Sequence, residues 1–227
     1  NHFIHAVRRN VDLNIVLFNN KIYGLTKGQY SPTSDRGFVS KSSPYGTVED
    51  PFIPAELALG ARGNFFARVI DVDLKNTTEV LAASARHKGA SVTEVLVNCV
   101  IHKKIVDKEF RADRTIFLRH GEKMLFGKDN EKGIVLDGLK LKAVTIGQDG
   151  YTLDDVLVHD AHEKDNTLHM MLAMMSEDMP IALGVIRDVD APVYDEAVHQ
   201  QIEEVQAKNP TRKLQDYLMS GEIWEVK

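Results

Sequence analysis

The stretch from Phe18 to Thr33, FNNKIYGLTKGQYSPT, decides how the rest of the chain is read. Apolar residues lead into it from Leu13 to Phe18, and the texture then changes at once. Two asparagines, Asn19 and Asn20, are followed by Gly24 and Gly28 with polar and cationic residues between them. A strand that ends in amide side chains and a turning backbone presents oxygen atoms. Such oxygens suit a hard, octahedral cation such as Mg²⁺, with a phosphate completing the shell. The glycines let backbone N–H groups come close to that phosphate. By composition alone, Asn-Asn after a strand is also an ordinary turn signal.

The run Ile15 to Phe18 predicts a buried parallel strand covered on both faces. Asn19 and Asn20 then sit at its carboxyl end, where open α/β sheets gather their function. Ahead of it, His2 to Arg9 predicts a helix with Phe3, Ile4 and Val7 inward. His2 and His5 would share a face, but with no third ligand nearby they read as its polar rim. The opening NHFIH has no methionine and lies inside this helix, so we read it as internal to a longer polypeptide. Residues 31–54 hold Pro32, Pro44, Pro51 and Pro54 and form a long loop, a length that goes with function or mobility. A short helix at Ala55–Ala61 follows, then a strand at Phe65–Val72. A helix over Leu74–Lys88 has Leu74, Thr78, Leu81 and Ala85 on one face, and a strand at Ser91–Val97 completes the series. Strand–helix–strand alternation implies α/β architecture with a parallel sheet and right-handed crossovers.

From about Phe110 the runs shorten and alternate, broken by HGE, GKDNEKG and DG, which are hairpin signals. Val156 to Val158 returns to the core. Helices are expected over Thr167–Ser176, Asp195–Ala207 and Lys213–Met219, and a buried strand over Ile181–Ile186. The expected division is residues 1–109 as an α/β cofactor domain and 110–227 as an α+β extension.

Hydrophobic residues make up 43% and charged residues 27% of the 227, enough for a core. A net charge of −5 argues against a general nucleic-acid or membrane-surface binder. No apolar run reaches the ~18–20 residues of a membrane span. One cysteine excludes an internal disulfide framework and fits a reducing cytoplasm.

Several side chains carry candidate chemistry. In the loop, Thr26 and Gln29 offer hydrogen bonds beside Gly24 and Leu25. Lys27 is a solvent-facing lysine on its surroundings, or a partner for an anionic group beside a cofactor. Cys99, in VLVNCVIHKK, ends a strand and reads as a small core residue. His159, Asp160, His162 and Glu163 match no spacing with a mechanism behind it and read as a solvated loop. Met170, Met171, Met174 and Met175 fall at helical spacing, which suits core packing or a subunit interface.

Taken as a whole string, FNNKIYGLTKGQYSPT resembles the second half of the thiamine diphosphate motif, in which Gly-Asp-Gly is followed after a helix and strand by Asn-Asn. The chain is similar throughout to the β subunits of 2-oxoacid:ferredoxin oxidoreductases, in NHFIHAVRRN, NCV, FGKDNEKGIVLDG, VHD and LQDYLMSGEIWEV as well. The resemblance implies a thiamine diphosphate-binding domain of α/β type. Mg²⁺ would be held by the Asn20 side chain, the Ile22 carbonyl and the aspartate of a Gly-Asp-Gly lying before Asn1. Gly24, Leu25, Thr26 and Gln29 would line the cofactor, and Lys27 would face the substrate or coenzyme A. Cys99 would be the last ligand of a 4Fe–4S cluster, which needs four thiolates, three of them nearer the N-terminus.

The implied reaction is oxidative decarboxylation of a 2-oxoacid, 2-oxoglutarate above others, to acyl-CoA and CO₂ with reduction of ferredoxin. An α subunit would complete the site. No protein general base is implied, because the cofactor supplies the electron sink. Two other classes stand beside this one. A non-oxidative thiamine diphosphate enzyme would share Asn20 and Ile22 but have no use for a cluster ligand at Cys99. A non-catalytic assembly subunit or fragment would need neither.

Overall fold

The computed structural model describes residues 1–102, 114–148, 150–175, 178–208, 213–224 and 226. The expected boundary near Phe110 and the helix end at Ser176 lie outside them.

Helix α1 (His2–Arg9) leads into strand β1 (Leu13–Asn19). The chain then runs through a long loop to α2 (Pro54–Gly60), β2 (Phe65–Ile70), α3 (Leu74–Arg86) and β3 (Ala90–Leu96). Among the described residues the strands form two sheets. The central one has the order β1-β3-β2-β8-β4, where β4 is Thr115–Leu118 and β8 is Ile181–Asp188. The expected parallel pairing holds for β1 with β3 and β2 with β3. Strand β8 then enters antiparallel to β2, and β4 lies parallel to β8. Residues from the second half of the chain therefore extend the sheet that the first half begins. Gly184 makes that last pairing possible: its φ is +92° and its Cα lies against the Leu118 carbonyl, with no room for a side chain.

The expected hairpins are the second sheet, β5 (Leu125–Phe126), β6 (Lys132–Asp137) and β7 (Lys140–Thr145), paired antiparallel. Helix α4 (Thr167–Ala173) packs between this sheet and the central one, and α5 (Tyr194–Lys208) and α6 (Leu214–Leu218) follow. The main core joins Val7 of α1, Leu59 of α2, Phe66 of β2, Ile134 of β6, Leu172 of α4 and Ile186 of β8. Each such fully buried side chain contributes about 1.5–3 kcal/mol.

Three expectations need correction. Strand β1 is not covered on both faces: Leu13, Val16 and Phe18 are exposed, and among the described residues β1 is the outer strand of the sheet, with β3 as its neighbour. Helix α3 does not bury Leu74, Thr78, Leu81 and Ala85. Leu74, Thr78 and Ala85 are exposed, and Val80 and Ser84 face inward. The sheet there accepts a polar residue, because Ser84 Oγ donates to Ser91 Oγ at 2.9 Å. In α1, Val7 is buried while Ile4 is 41% exposed.

Candidate cofactor site at the end of β1

Strand β1 ends at Asn19, and the next turn is built by amide side chains. Asn19 Oδ1 accepts from the Lys21 N–H at 3.1 Å, and Asn20 Oδ1 accepts from the Ile22 N–H at 3.1 Å. Each asparagine thus closes a turn two residues ahead, the habit that makes Asn a turn former. Together they hold Lys21 in the left-handed region, at φ +51°. Asn20 is half-buried and Ile22 is buried. Among the described residues no N–H or O–H donates to the Ile22 carbonyl. Asn20 Oδ1 keeps a second lone pair beyond the one given to Ile22. Two neutral oxygens of this kind suit Mg²⁺ in chemistry; carboxylate and phosphate oxygens would supply the remaining ligands and the charge.

Beyond Ile22 the loop folds on itself. The Tyr23 N–H donates to the Gln29 carbonyl at 2.9 Å, and the Gly28 N–H to the Tyr23 carbonyl at 3.2 Å. Thr26 Oγ1 donates to the Tyr23 carbonyl at 3.3 Å. Lys27 and Gly28 both lie at positive φ, +67° and +93°. Thr26, Lys27 and Gln29 are exposed, and Leu25 is 99% exposed, so the tip of this loop projects outward from the fold.

Both glycines of the loop face the segment after β3. A Cβ placed on Gly24 would stand 3.3 Å from Cys99 Sγ, and one on Gly28 would stand 3.1 Å from His102 Nδ1. The fold therefore brings Cys99 against the loop that Asn20 begins, although 79 positions separate Cys99 from Asn20 in sequence. Lys27 shares a concave face of about 540 Å³ with Ile22, Gly28, Phe38, Lys41 and His102. Lys41 and His102 were not singled out by sequence; their nearness to Lys27 comes from two separate loops folding to one place.

The long loop is braced by its own bonds. Ser34 Oγ donates to the Lys21 carbonyl at 2.7 Å, Lys21 Nζ pairs with Asp35 at 2.8 Å, and Arg36 forms a two-pronged pair with Asp50 at 2.6 and 2.8 Å. The exposed Arg36–Asp50 pair holds the Asp50 carboxyl below its usual range and raises the Arg36 guanidinium, but exposure keeps its energetic weight small.

After Val158 the solvated-loop reading holds for Asp160, His162 and Glu163, which are exposed, and is corrected for His159. His159 and His169 are each 1% exposed. His159 Nε2 donates to the Val185 carbonyl at 2.9 Å, and His169 Nε2 donates to the Asp160 carbonyl at 2.8 Å. The Arg187 guanidinium donates to His169 Nδ1 at 2.9 Å and to the Gly63, Glu163 and Lys164 carbonyls at 2.8–3.1 Å. These groups brace the segment from inside. Burial lowers the pKa of both histidines. Among the described residues no three His, Cys, Asp or Glu side chains are grouped to hold a metal ion. Nor, among them, is any helix long and apolar enough to cross a membrane. His2 and His5 are both exposed on α1. The methionines are shared between two settings: Met170, Met175 and Met179 flank the main core, while Met174 is half exposed.

Known proteins give this geometry a class. Residues 1–95 match the model of the C-terminal TPP binding domain of thiamine pyrophosphate enzymes. The whole chain aligns at 41% identity with the 2-oxoglutarate oxidoreductase subunit KorB of Mycobacterium tuberculosis. Shorter alignments reach 44% identity over 46% of this chain with the 2-oxoglutarate synthase subunit KorB of Archaeoglobus fulgidus, and 42% over 50% with the 2-oxoacid:ferredoxin oxidoreductase 1 subunit beta of Aeropyrum pernix. The chain spans 62% of the length of the mycobacterial relative and 39% and 36% of the other two. In fold it is similar to a 2-oxoglutarate:ferredoxin oxidoreductase from Magnetococcus marinus, a structure with 2-oxoglutarate, coenzyme A and succinyl-CoA bound. That likeness has a TM-score of 0.66 at 22% identity, covering 96% of this chain and 61% of the other.

The α/β fold and the matched segment give residues 1–95 the class of a TPP binding domain of thiamine pyrophosphate enzymes. More narrowly, the chain is similar along its whole length to the β subunits of 2-oxoglutarate and other 2-oxoacid:ferredoxin oxidoreductases.

Proposed function

We propose that this chain is part of the β subunit of a thiamine diphosphate-dependent 2-oxoacid:ferredoxin oxidoreductase that converts 2-oxoglutarate, with coenzyme A, to an acyl-CoA and CO₂ while ferredoxin is reduced. The observation that carries it is the apposition of Cys99 and Gly24. A candidate cluster ligand lies against the candidate cofactor loop, so electrons released at the cofactor have a short path away. A non-oxidative thiamine diphosphate enzyme has no use for that pairing.

In this reading Asn20 Oδ1 and the Ile22 carbonyl hold Mg²⁺, which binds the cofactor's diphosphate. Gly24, Leu25, Thr26 and Gln29 form the wall along it, with Gly24 leaving the backbone open and Thr26 offering its hydroxyl. Bound thiamine diphosphate supplies the electron sink for decarboxylation. Cys99 is one of four thiolates holding a 4Fe–4S cluster in the complete protein. Lys27, exposed on a face shared with Lys41 and His102, pairs with an anionic group of the substrate or of coenzyme A. An α subunit covers the exposed loop tip and completes the site. We place the division between cofactor domain and extension at 109/110, with β4 and β8 as the extension's contribution to the central sheet.

The test is carried out on the complete β subunit with its α partner. Ferredoxin reduction is measured with 2-oxoglutarate, with and without coenzyme A and thiamine diphosphate, alongside iron content. Reduction that needs all three supports the reading. Decarboxylation without any ferredoxin reduction in an iron-free complex would overturn it in favour of the non-oxidative class.

A further inference from the structure

Beneath the Asn-Asn turn lies a buried ion pair that the cofactor chemistry does not explain. Arg68 of β2 and Glu94 of β3 are register partners in the parallel ladder. Their side chains are 9% and 3% exposed, and Arg68 Nε donates to Glu94 Oε2 at 2.7 Å. Arg68 Nη1 also approaches the Ala182 carbonyl of β8 at 3.5 Å. A buried ion pair gains little net stability over an apolar pair of the same size, so its presence asks for another reason.

The other carboxylate oxygen supplies one. Glu94 Oε1 accepts from Asn19 Nδ2 at 2.7 Å. That bond fixes which way the Asn19 amide faces. With Nδ2 committed to Glu94, Oδ1 turns to the loop, where it accepts from the Lys21 N–H and, at 2.7 Å, from Thr33 Oγ1. Asn19 thereby ties both ends of the loop, residues 21 and 33, to the middle of the sheet. Asn20 and Ile22 lie inside the turn so held.

We propose that Arg68, Glu94 and Asn19 form a positioning relay that orients the Asn20 side chain and the Ile22 carbonyl toward a divalent cation. Glu94 and Asn19 act through the turn and touch no cofactor. The inference rests on the reading of Asn20 and Ile22 as cation ligands.

Hydrogen-bond polarity makes the relay testable. In Glu94→Gln the new amide keeps its oxygen on Arg68 and turns its NH₂ toward Asn19 Nδ2, so two donors meet. In Asn19→Asp a second carboxylate faces Glu94, so two acceptors meet. In the double variant the carboxylate at 19 accepts from the amide at 94, from the Lys21 N–H and from Thr33, and the buried charge count is unchanged. A buried bond to a charged group is worth enough that each single variant should weaken binding about 10-fold or more. The double variant should recover to within about 3-fold of the parent, a coupling of the size direct contacts show.

The experiment is calorimetry of Mg²⁺-dependent thiamine diphosphate binding to the complete αβ complex, at a temperature where thermal melts show every variant folded. Asn20→Leu is measured beside the four-protein cycle. Expected are weak binding in both single variants, recovery in the double and loss of Mg²⁺ dependence in Asn20→Leu. If Asn20→Leu behaves as the parent, the cation site is misassigned and the relay falls with it. If Asn20→Leu fails but the single variants bind normally, or the double variant does not recover, the cation site stands and the relay is overturned.

Discussion

Cys99 and Gly24 face each other closely enough that any side chain on Gly24 would press on the sulfur, since a Cβ there would lie 3.3 Å from it. The contact joins the end of β3 to the loop after β1, and β1 and β3 are neighbours in parallel register from Leu13↔Ala90 to Asn19↔Leu96. Parallel neighbours end on the same edge of a sheet, so the two segments have to meet.

Cys99→Ala should therefore leave the fold in place, since the residue is half-buried and alanine removes one sulfur. In the complete complex it should lower iron content and slow ferredoxin reduction, because the proposed cluster would lose one of its four thiolates. Slow decarboxylation without electron transfer should persist. Unchanged iron and an unchanged reduction rate would assign Cys99 to packing alone.

Asn20→Leu replaces the oxygen proposed as a ligand by a branched alkyl group and also releases the Ile22 N–H from its partner. A hard cation has no affinity for the new side chain. Mg²⁺-dependent thiamine diphosphate affinity should fall by about one to two decades, taking the lost ligand as a bond to a charged group worth about 1.5–3 kcal/mol. Titration of the complex with cofactor at fixed Mg²⁺ reads this directly. Affinity within a factor of about two of the parent would remove Asn20 from the shell.

The strands, the hairpins and the loop at the end of β1 were legible because they rest on local signals: apolar runs, glycine turns and an Asn-Asn pair. What was not legible depends on neighbours. The run Ile15 to Phe18 looks like an interior strand, and only the order β1-β3-β2 shows that among the described residues it lies at an edge. His159 opens the polar run HDAHEKD, yet the Val185 carbonyl draws it inside, and His169 of the methionine-rich helix is held beside it by the Asp160 carbonyl and Arg187. Arg68 and Glu94 did leave a trace, as opposite charges inside the apolar strands FFARVI and ASVTEVL. Pairing them required knowing that those strands are adjacent and in which register.

The two buried histidines predict an acid-sensitive stability. Desolvation lowers both, and the Arg187 guanidinium against His169 Nδ1 adds repulsion to its protonated form. Asp160 and Glu163 oppose the shift at His169 without reversing it. A histidine whose folded pKa lies below its unfolded value of 6.5 binds fewer protons when folded. Its contribution is fully present above about pH 6.5 and is lost as pH falls from there through the depressed folded value. Thermal midpoints should therefore hold between pH 8 and 7 and decline below 6.5. His169→Gln, which cannot titrate, should give a lower midpoint at pH 8 but a shallower decline. An equally steep decline would move the acid sensitivity to other groups.

Lys27 decides between two anions. It is exposed, sits at φ +67° on the loop tip and shares its concave face with Lys41 and His102. A dicarboxylate such as 2-oxoglutarate brings a second negative charge close to the cofactor, and burying that charge unpaired is costly. If Lys27 meets it, the contact is worth about 1.5–3 kcal/mol, or about one to two decades in kcat/KM. Lys27→Ala should then weaken 2-oxoglutarate by that factor while pyruvate and 2-oxobutyrate, which lack the distal carboxylate, change little. If Lys27 instead meets a phosphate of coenzyme A, every 2-oxoacid shares the loss, and it appears as a raised KM for coenzyme A. Steady-state kinetics on the three substrates at two coenzyme A concentrations separates these outcomes. The expected result is the selective one, because Lys27 is three residues from Gly24, the glycine that the proposed function sets against the cofactor. A uniform rise in the coenzyme A requirement would reassign Lys27, and no change in either parameter would return it to solvent.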